Sequence, residues 1–221
     1  MSNPPDGGTA SERGGTDDLP SRPARIGILG GTFDPPHCGH VAAALECRTA
    51  LALDRVLLVV ANEPWQKVPQ RNVTPAEDRY AMVEAAVAGL QGVEASRMEI
   101  DRGGPSYTAD TVAGILADTA RAGHPRPELY LVVGADLVES LPTWKRVEEL
   151  RSEVTLAVVS RPGTKPVEAP DWRSVMVHGD AVDVSSSEVR DRLERGEPLD
   201  DLVPEAVVRC IRRRGLYAVG R

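Results

Sequence analysis

Four apolar runs organise the chain, at residues 25–29, 54–61, 128–133 and 154–160. Each is rich in Val, Ile and Leu and too short for a core helix. None alternates with polar residues, which is the pattern of parallel strands covered on both faces. Between them lie stretches of helical character: an alanine-rich segment over 41–53, another over 75–88, one that begins after 102–111, and a terminal one over 204–214. The second opens on Thr74-Pro75-Ala76-Glu77, which reads as a capping box with Thr74 as N-cap. Met98-Glu99-Ile100-Asp101 reads as a short strand, and 174–178 and 182–184 as further strand segments. Strands alternating with helices predict an α/β fold, a Rossmann-like doubly wound parallel sheet with a small C-terminal helical part. Its ligand crevice is expected at the strands' C-terminal ends.

Composition narrows the picture. Residues 1–24 are rich in Gly, Ser, Pro, Thr and Asp and nearly lack large apolar side chains, so a disordered tail is expected there and one domain over 25–221. The net charge of −7 argues against a nucleic-acid partner. Cys38, Cys47 and Cys210 are odd in number and lack C-x-x-C spacing, which suits reduced thiols. No stretch approaches the roughly 18 consecutive apolar residues of a membrane span, and the N-terminus shows no apolar signal region. A soluble cytoplasmic protein with no membrane partner is expected, and monomer and homodimer stay equally open.

The richest chemistry follows the first apolar run, in Gly30-Gly31-Thr32-Phe33-Asp34-Pro35-Pro36-His37-Cys38-Gly39-His40. The glycine pair permits positive φ and close approach of a ligand to backbone N–H groups. The prolines hold the chain extended until a helix starts near His37. That helix start offers unpaired N–H groups and a favourable dipole to an anion, with His37 and His40 on the same face. The segment reads as a phosphate cradle. It is neither a P-loop nor G-x-G-x-x-G. A metal site from Asp34, His37 and His40, and a plain tight turn, are the alternatives.

Other segments have alternatives of their own. After the second strand, Asn62-Glu63-Pro64-Trp65-Gln66-Lys67 emerges at the same edge as the cradle, with Trp65 either packed or stacked on a ligand. Arg79 reads as a surface arginine on its helix. Ser106 and Thr108 are candidate helix caps or anion donors, and Gly134-Ala135-Asp136 is a helix cap or a ribose contact. Ser185-Ser186-Ser187 with Arg190 is an ordinary N-cap or a second anion site.

The motif at 30–40 resembles the G-G-x-F-D-P-x-H-x-G-H signature of the nucleotidyltransferase superfamily with the H-x-G-H motif. Arg102 to Thr111 resembles R-x-G-x-S/T-Y-T-x-D-T-L, with few departures. Residues 184–190 resemble I-S-S-T-x-I-R, with Val184 for Ile and Ser187 for Thr. With Leu141-Pro142-Thr143-Trp144-Lys145-Arg146, the chain resembles the bacterial nicotinate-nucleotide adenylyltransferase family over residues 25 to about 219. The resemblance implies adenylyl transfer from ATP to nicotinate mononucleotide, giving nicotinate adenine dinucleotide and pyrophosphate. Mg²⁺ would come with ATP, the protein supplying no metal ligands of its own. His37, His40, Lys67 and Arg190 would be catalytic. Gly30, Gly31, Thr32, Phe33, His37, His40, Gly134, Asp136, Ser185, Ser186, Ser187 and Arg190 would bind ATP. Asn62, Lys67, Tyr107, Thr108, Trp144 and the amide of Lys145 would bind the mononucleotide, Trp144 stacking on the pyridine ring and Thr108 meeting its carboxylate. The Trp144 segment favours a pyridine nucleotide over phosphopantetheine as acceptor. A metal-dependent hydrolase and an ATP-sensing module are the rival functions.

Overall fold

A computed structural model describes residues 22–64, 72–160, 167, 169–179 and 184–217. The strands are β1 (Arg25–Gly31), β2 (Arg55–Val60), β3 (Val93–Ser96), β4 (Glu128–Gly134), β5 (Val154–Ser160) and β6 (Ser174–His178). They form a parallel sheet in the order β3-β2-β1-β4-β5-β6. The helices are α1 (Cys38–Ala50), α2 (Ala76–Val87), α3 (Met98–Arg102), α4 (Thr108–Arg121), α5 (Val147–Glu153), α6 (Ser186–Arg195) and α7 (Glu205–Arg214), with a 3-10 helix at Ala135–Thr143.

The continuous apolar runs have a direct explanation. Along β2, Val56, Leu58 and Val60 join a core with residues of α1, α2 and α7, while Leu57 and Val59 join a second core with residues of α4 and α5. The same alternation holds in β4 and β5, so each strand needs apolar side chains on both faces. Strand order reverses between β1 and β4, which opens a crevice beside their C-terminal ends. The C-terminal helices belong to the first core through Val189 of α6 and Val207, Cys210 and Ile211 of α7. Among the described residues, no helix is long and apolar enough to cross a membrane.

Three local expectations are corrected. Met98-Glu99-Ile100-Asp101 is helical, and the strand lies just before it at Val93–Ser96. Only Val93 of that edge strand is buried, so it leaves no apolar run to read. The alternation of Met98 and Ile100 with charged neighbours arises because these two residues pack on different cores. No capping box forms at α2: Pro75 is the N-cap, and Thr74 is held by its backbone, donating to Asp34 (3.4 Å) and accepting from Arg79 (2.7 Å). Helix α1 starts at Cys38 with His37 as N-cap, and ends before the expected boundary because Ala52 takes a left-handed φ of 47°.

Candidate active site

A cleft of about 920 Å³ lies over the C-terminal ends of β1 and β4. The β1–α1 loop, the starts of α4 and α6, and the exit of β4 line it together. Segments from four places in the sequence thus meet in one space.

The glycine pair works through space rather than through positive φ. Neither Gly30 nor Gly31 has positive φ; Phe33 does, at 50°. That turn folds the Phe33 ring over Gly31, where a Cβ would stand 2.9 Å from it. Gly30 is exposed, and a Cβ there would meet nothing within 4 Å. The bare backbone faces the cleft.

His40 is set by its own helix turn. The backbone N–H of His37 donates to its Nδ1 (3.2 Å), and the two imidazoles stack with centroids 3.6 Å apart. An accepting Nδ1 leaves the proton of the neutral ring on Nε2, so His40 is a donor through that atom. Both histidines line the cleft. Asp34 is 1% exposed; its carboxylate accepts from the Tyr217 hydroxyl and the Thr74 N–H. Burial, and then the bond to Asp34, push the Tyr217 hydroxyl well above its ordinary value, so it stays a donor. Among the described residues, no group of three or more His, Cys, Asp and Glu could hold a metal ion.

At the start of α6 all three serine hydroxyls have protein partners. Ser185 caps the helix by accepting from Glu188 N–H (3.1 Å), Ser186 donates to the Pro35 carbonyl (2.8 Å), and Ser187 accepts from Arg190 (3.0 Å). Arg190 also donates to the Asp34 carbonyl (2.7 Å), tying α6 to the β1–α1 loop. The ordinary-cap reading of Ser185 therefore holds, while the three serines and Arg190 still line the cleft.

Tyr107, the N-cap of α4, Thr108, and the half-buried Trp144 with Lys145 line the same cleft. Gly134 and Asp136 stand on the β4 exit; the Asp136 carboxylate folds back to within 2.4 Å of where a Gly134 Cβ would sit. Asn62 does not line the cleft: its side-chain amide donates to the Gly104 carbonyl (3.1 Å) and its N–H to Ser106 Oγ (2.8 Å). Ser106 is thus a brace rather than a cap of α4. Trp65 and Lys67 lie outside the described residues.

Arg79 is the largest correction. Expected on the surface, it is 1% exposed and donates to four carbonyls: Thr32 (2.9 Å), Ala61 (2.7 Å), Asn62 (3.0 Å) and Thr74 (2.7 Å). Hydrogen bonds from a charged group contribute about 1.5–3 kcal/mol each, so this is a strong local tether. Glu99 and Tyr217 were likewise missed. Glu99 is 6% exposed, lines the cleft and accepts from the Thr111 hydroxyl. A carboxylate flanked by Met98 and Ile100 was the available signal for Glu99; nothing local marks Arg79 or Tyr217. Cys38 is half-buried with its thiol pushed up by burial, which disfavours the nucleophilic thiolate.

A family model described as cytidylyltransferase-like matches residues 28–192. A protein of Acidothermus cellulolyticus, named a probable nicotinate-nucleotide adenylyltransferase, is 40% identical over 202 residues, covering 90% of this chain and 97% of the relative. One of Thermus thermophilus with the same name is 45% identical over 193 residues, covering 87% and 99%. The structure of Plasmodium falciparum nicotinic acid mononucleotide adenylyltransferase complexed with NaAD superposes with a TM-score of 0.71. It covers 89% of this chain and 98% of that one at 19% identity, a likeness of fold.

Proposed function

This chain belongs to the cytidylyltransferase-like family, and we propose that within it the protein is a nicotinate-nucleotide adenylyltransferase acting in the cytoplasm. It joins ATP and nicotinate mononucleotide into nicotinate adenine dinucleotide and pyrophosphate. The observation that carries this reading is that the 30–40 loop, the start of α6, Thr108 and Trp144 line one cleft.

The mononucleotide phosphate attacks the α-phosphorus of ATP in line. A new P–O bond forms there as the bond to the bridging oxygen of the β-phosphate breaks, and pyrophosphate leaves with that oxygen. The work of the protein is positioning and stabilisation of negative charge. His37 and His40 donate to the transferring phosphate through their side chains, the backbone N–H groups of His37, Cys38 and His40 being already taken by His40 Nδ1 and the Leu202 and His37 carbonyls. Arg190 and the first N–H groups of α6 take the outer phosphates. Asp136 accepts from the ribose of the adenosine. Trp144 stacks on the pyridine ring while Thr108 and the Lys145 amide meet its carboxylate. Lys67 is assigned to the reacting phosphates on the family resemblance, and Asn62 contributes by bracing Gly104 and Ser106.

Mg²⁺ would come with the triphosphate. Mg²⁺ bound to the triphosphate would keep water and substrate phosphate oxygens as ligands and would offset the charge on the transferring group.

The test is pyrophosphate release from Mg-ATP with nicotinate mononucleotide, nicotinamide mononucleotide and phosphopantetheine compared as acceptors. Turnover that depends on nicotinate mononucleotide is expected. Equal release without an acceptor, together with stoichiometric metal retained after dialysis, would establish the hydrolase instead.

A further inference from the structure

The two halves of the proposed site rest on different segments: the triphosphate half on the β1–α1 loop, the mononucleotide half on the start of α4. An unbroken chain of hydrogen bonds joins them. From the Thr32 carbonyl it passes to Arg79 Nη1, which also donates to Ala61, and through Arg79 Nη2 to the Asn62 carbonyl. The Asn62 N–H continues it to Ser106 Oγ, and the Ser106 N–H returns to the Glu63 carbonyl (3.1 Å). Ser106 precedes Thr108 by two residues. Arg79 Nε holds the Thr74 carbonyl, so both ends of the segment 62–74 hang from one guanidinium.

We infer that Arg79 is a positioning residue that couples the two substrate half-sites, so that a nucleoside triphosphate on the phosphate loop and a mononucleotide at α4 tighten each other. This rests on the functional reading above. A guanidinium is a rigid planar fork. If the triphosphate draws the Thr32 backbone to a new position, the plane turns with it, and the Ala61 and Asn62 carbonyls on the same plane follow. Asn62 then moves Ser106 and the α4 start. A lysine at the position keeps the charge but has no fixed plane through which to pass the movement.

The experiment is isothermal titration calorimetry of nicotinate mononucleotide with and without a saturating, non-reactive α,β-methylene analogue of ATP, and of the analogue with and without the mononucleotide. Wild type, Arg79→Lys, Ser106→Ala and the double variant are compared. By linkage the two orders must give the same tightening factor, and about 5-fold or more is expected for wild type. In each single variant the factor should fall below about 2-fold, while the affinity of each ligand alone shifts by less than about 3-fold. The double variant should fall no further, because both changes cut the same chain.

A merely structural role would lower the melting temperature and weaken both solitary affinities without changing the factor. No mutual tightening in wild type, a retained factor in Arg79→Lys, or additive losses in the double variant would overturn the inference. Should Arg79→Lys fail to fold, Ser106→Ala decides alone, and full coupling there overturns it. A wild type that makes no dinucleotide overturns the functional reading instead; one that makes it without coupling overturns only this inference.

Discussion

Gly30 and Gly31 are neighbours at the end of β1, yet a methyl group added to each meets different surroundings. At Gly30 the new Cβ finds nothing within 4 Å; at Gly31 it stands 2.9 Å from Phe33 Cζ and 3.0 Å from both Cε atoms. Neither residue has positive φ, so alanine strains neither backbone. Gly30→Ala should therefore fold at least as stably as wild type, with up to about 1 kcal/mol gained from the narrowed unfolded ensemble. Gly31→Ala must displace Phe33, which is 2% exposed in the core. Overpacking of this kind costs about 1–3 kcal/mol. The melting temperature should drop by about 2–4 °C for each kcal/mol in a chain of this size.

Activity should separate the two in the opposite sense. The Gly30 methyl projects into the space assigned to the triphosphate, so a similar clash of about 1–3 kcal/mol falls on the complex instead of the fold. That corresponds to about a 5- to 150-fold loss of kcat/KM for ATP. Thermal unfolding and a pyrophosphate-release assay on both variants measure the two effects. Gly30→Ala with undiminished kcat/KM would remove this backbone from the ligand wall. An unshifted melting temperature in Gly31→Ala would refute the packing argument.

Four further outcomes are expected. His40→Ala should lower kcat by about 10²–10³-fold with the fold intact, as for loss of one preorganised donor; near-normal kcat in steady-state assays would end that assignment. Trp144→Ala should weaken the nicotinate and nicotinamide mononucleotides alike by roughly 1–3 kcal/mol, because stacking is blind to acid versus amide. Thr108→Val should instead shrink the acid-to-amide ratio of kcat/KM, and a Trp144→Ala variant that alone abolishes the preference would contradict this pocket. Burial pushes the Cys47 thiol up to about 12. The unfolded chain ionises this thiol near pH 9 while the folded chain holds the proton, so its contribution is full below that pH and is lost towards pH 12, at up to about 1.4 kcal/mol per pH unit. Urea unfolding between pH 7 and pH 10 should show that fall, and Cys47→Val should make it shallower.

Much of this protein was settled locally. Where a strand is buried on both faces, every residue must be apolar, and so β1, β2, β4 and β5 are visible as unbroken runs. The glycine-rich loop at 30–40 and the serine cap of α6 are equally local, because they depend on φ preferences and on hydroxyls or imidazoles a few residues apart. The edge strand β3 escaped because solvent covers part of it and relaxes the demand for apolar side chains. Arg79 escaped for a different reason. Its carbonyl partner at Thr32 lies 47 positions away, and backbone carbonyls are available at any sequence. The Tyr217 hydroxyl reaches Asp34 across 183 positions. Periodicity reports which face a side chain presents, whereas the group waiting on that face is chosen only when the sheet and its helices have closed around it.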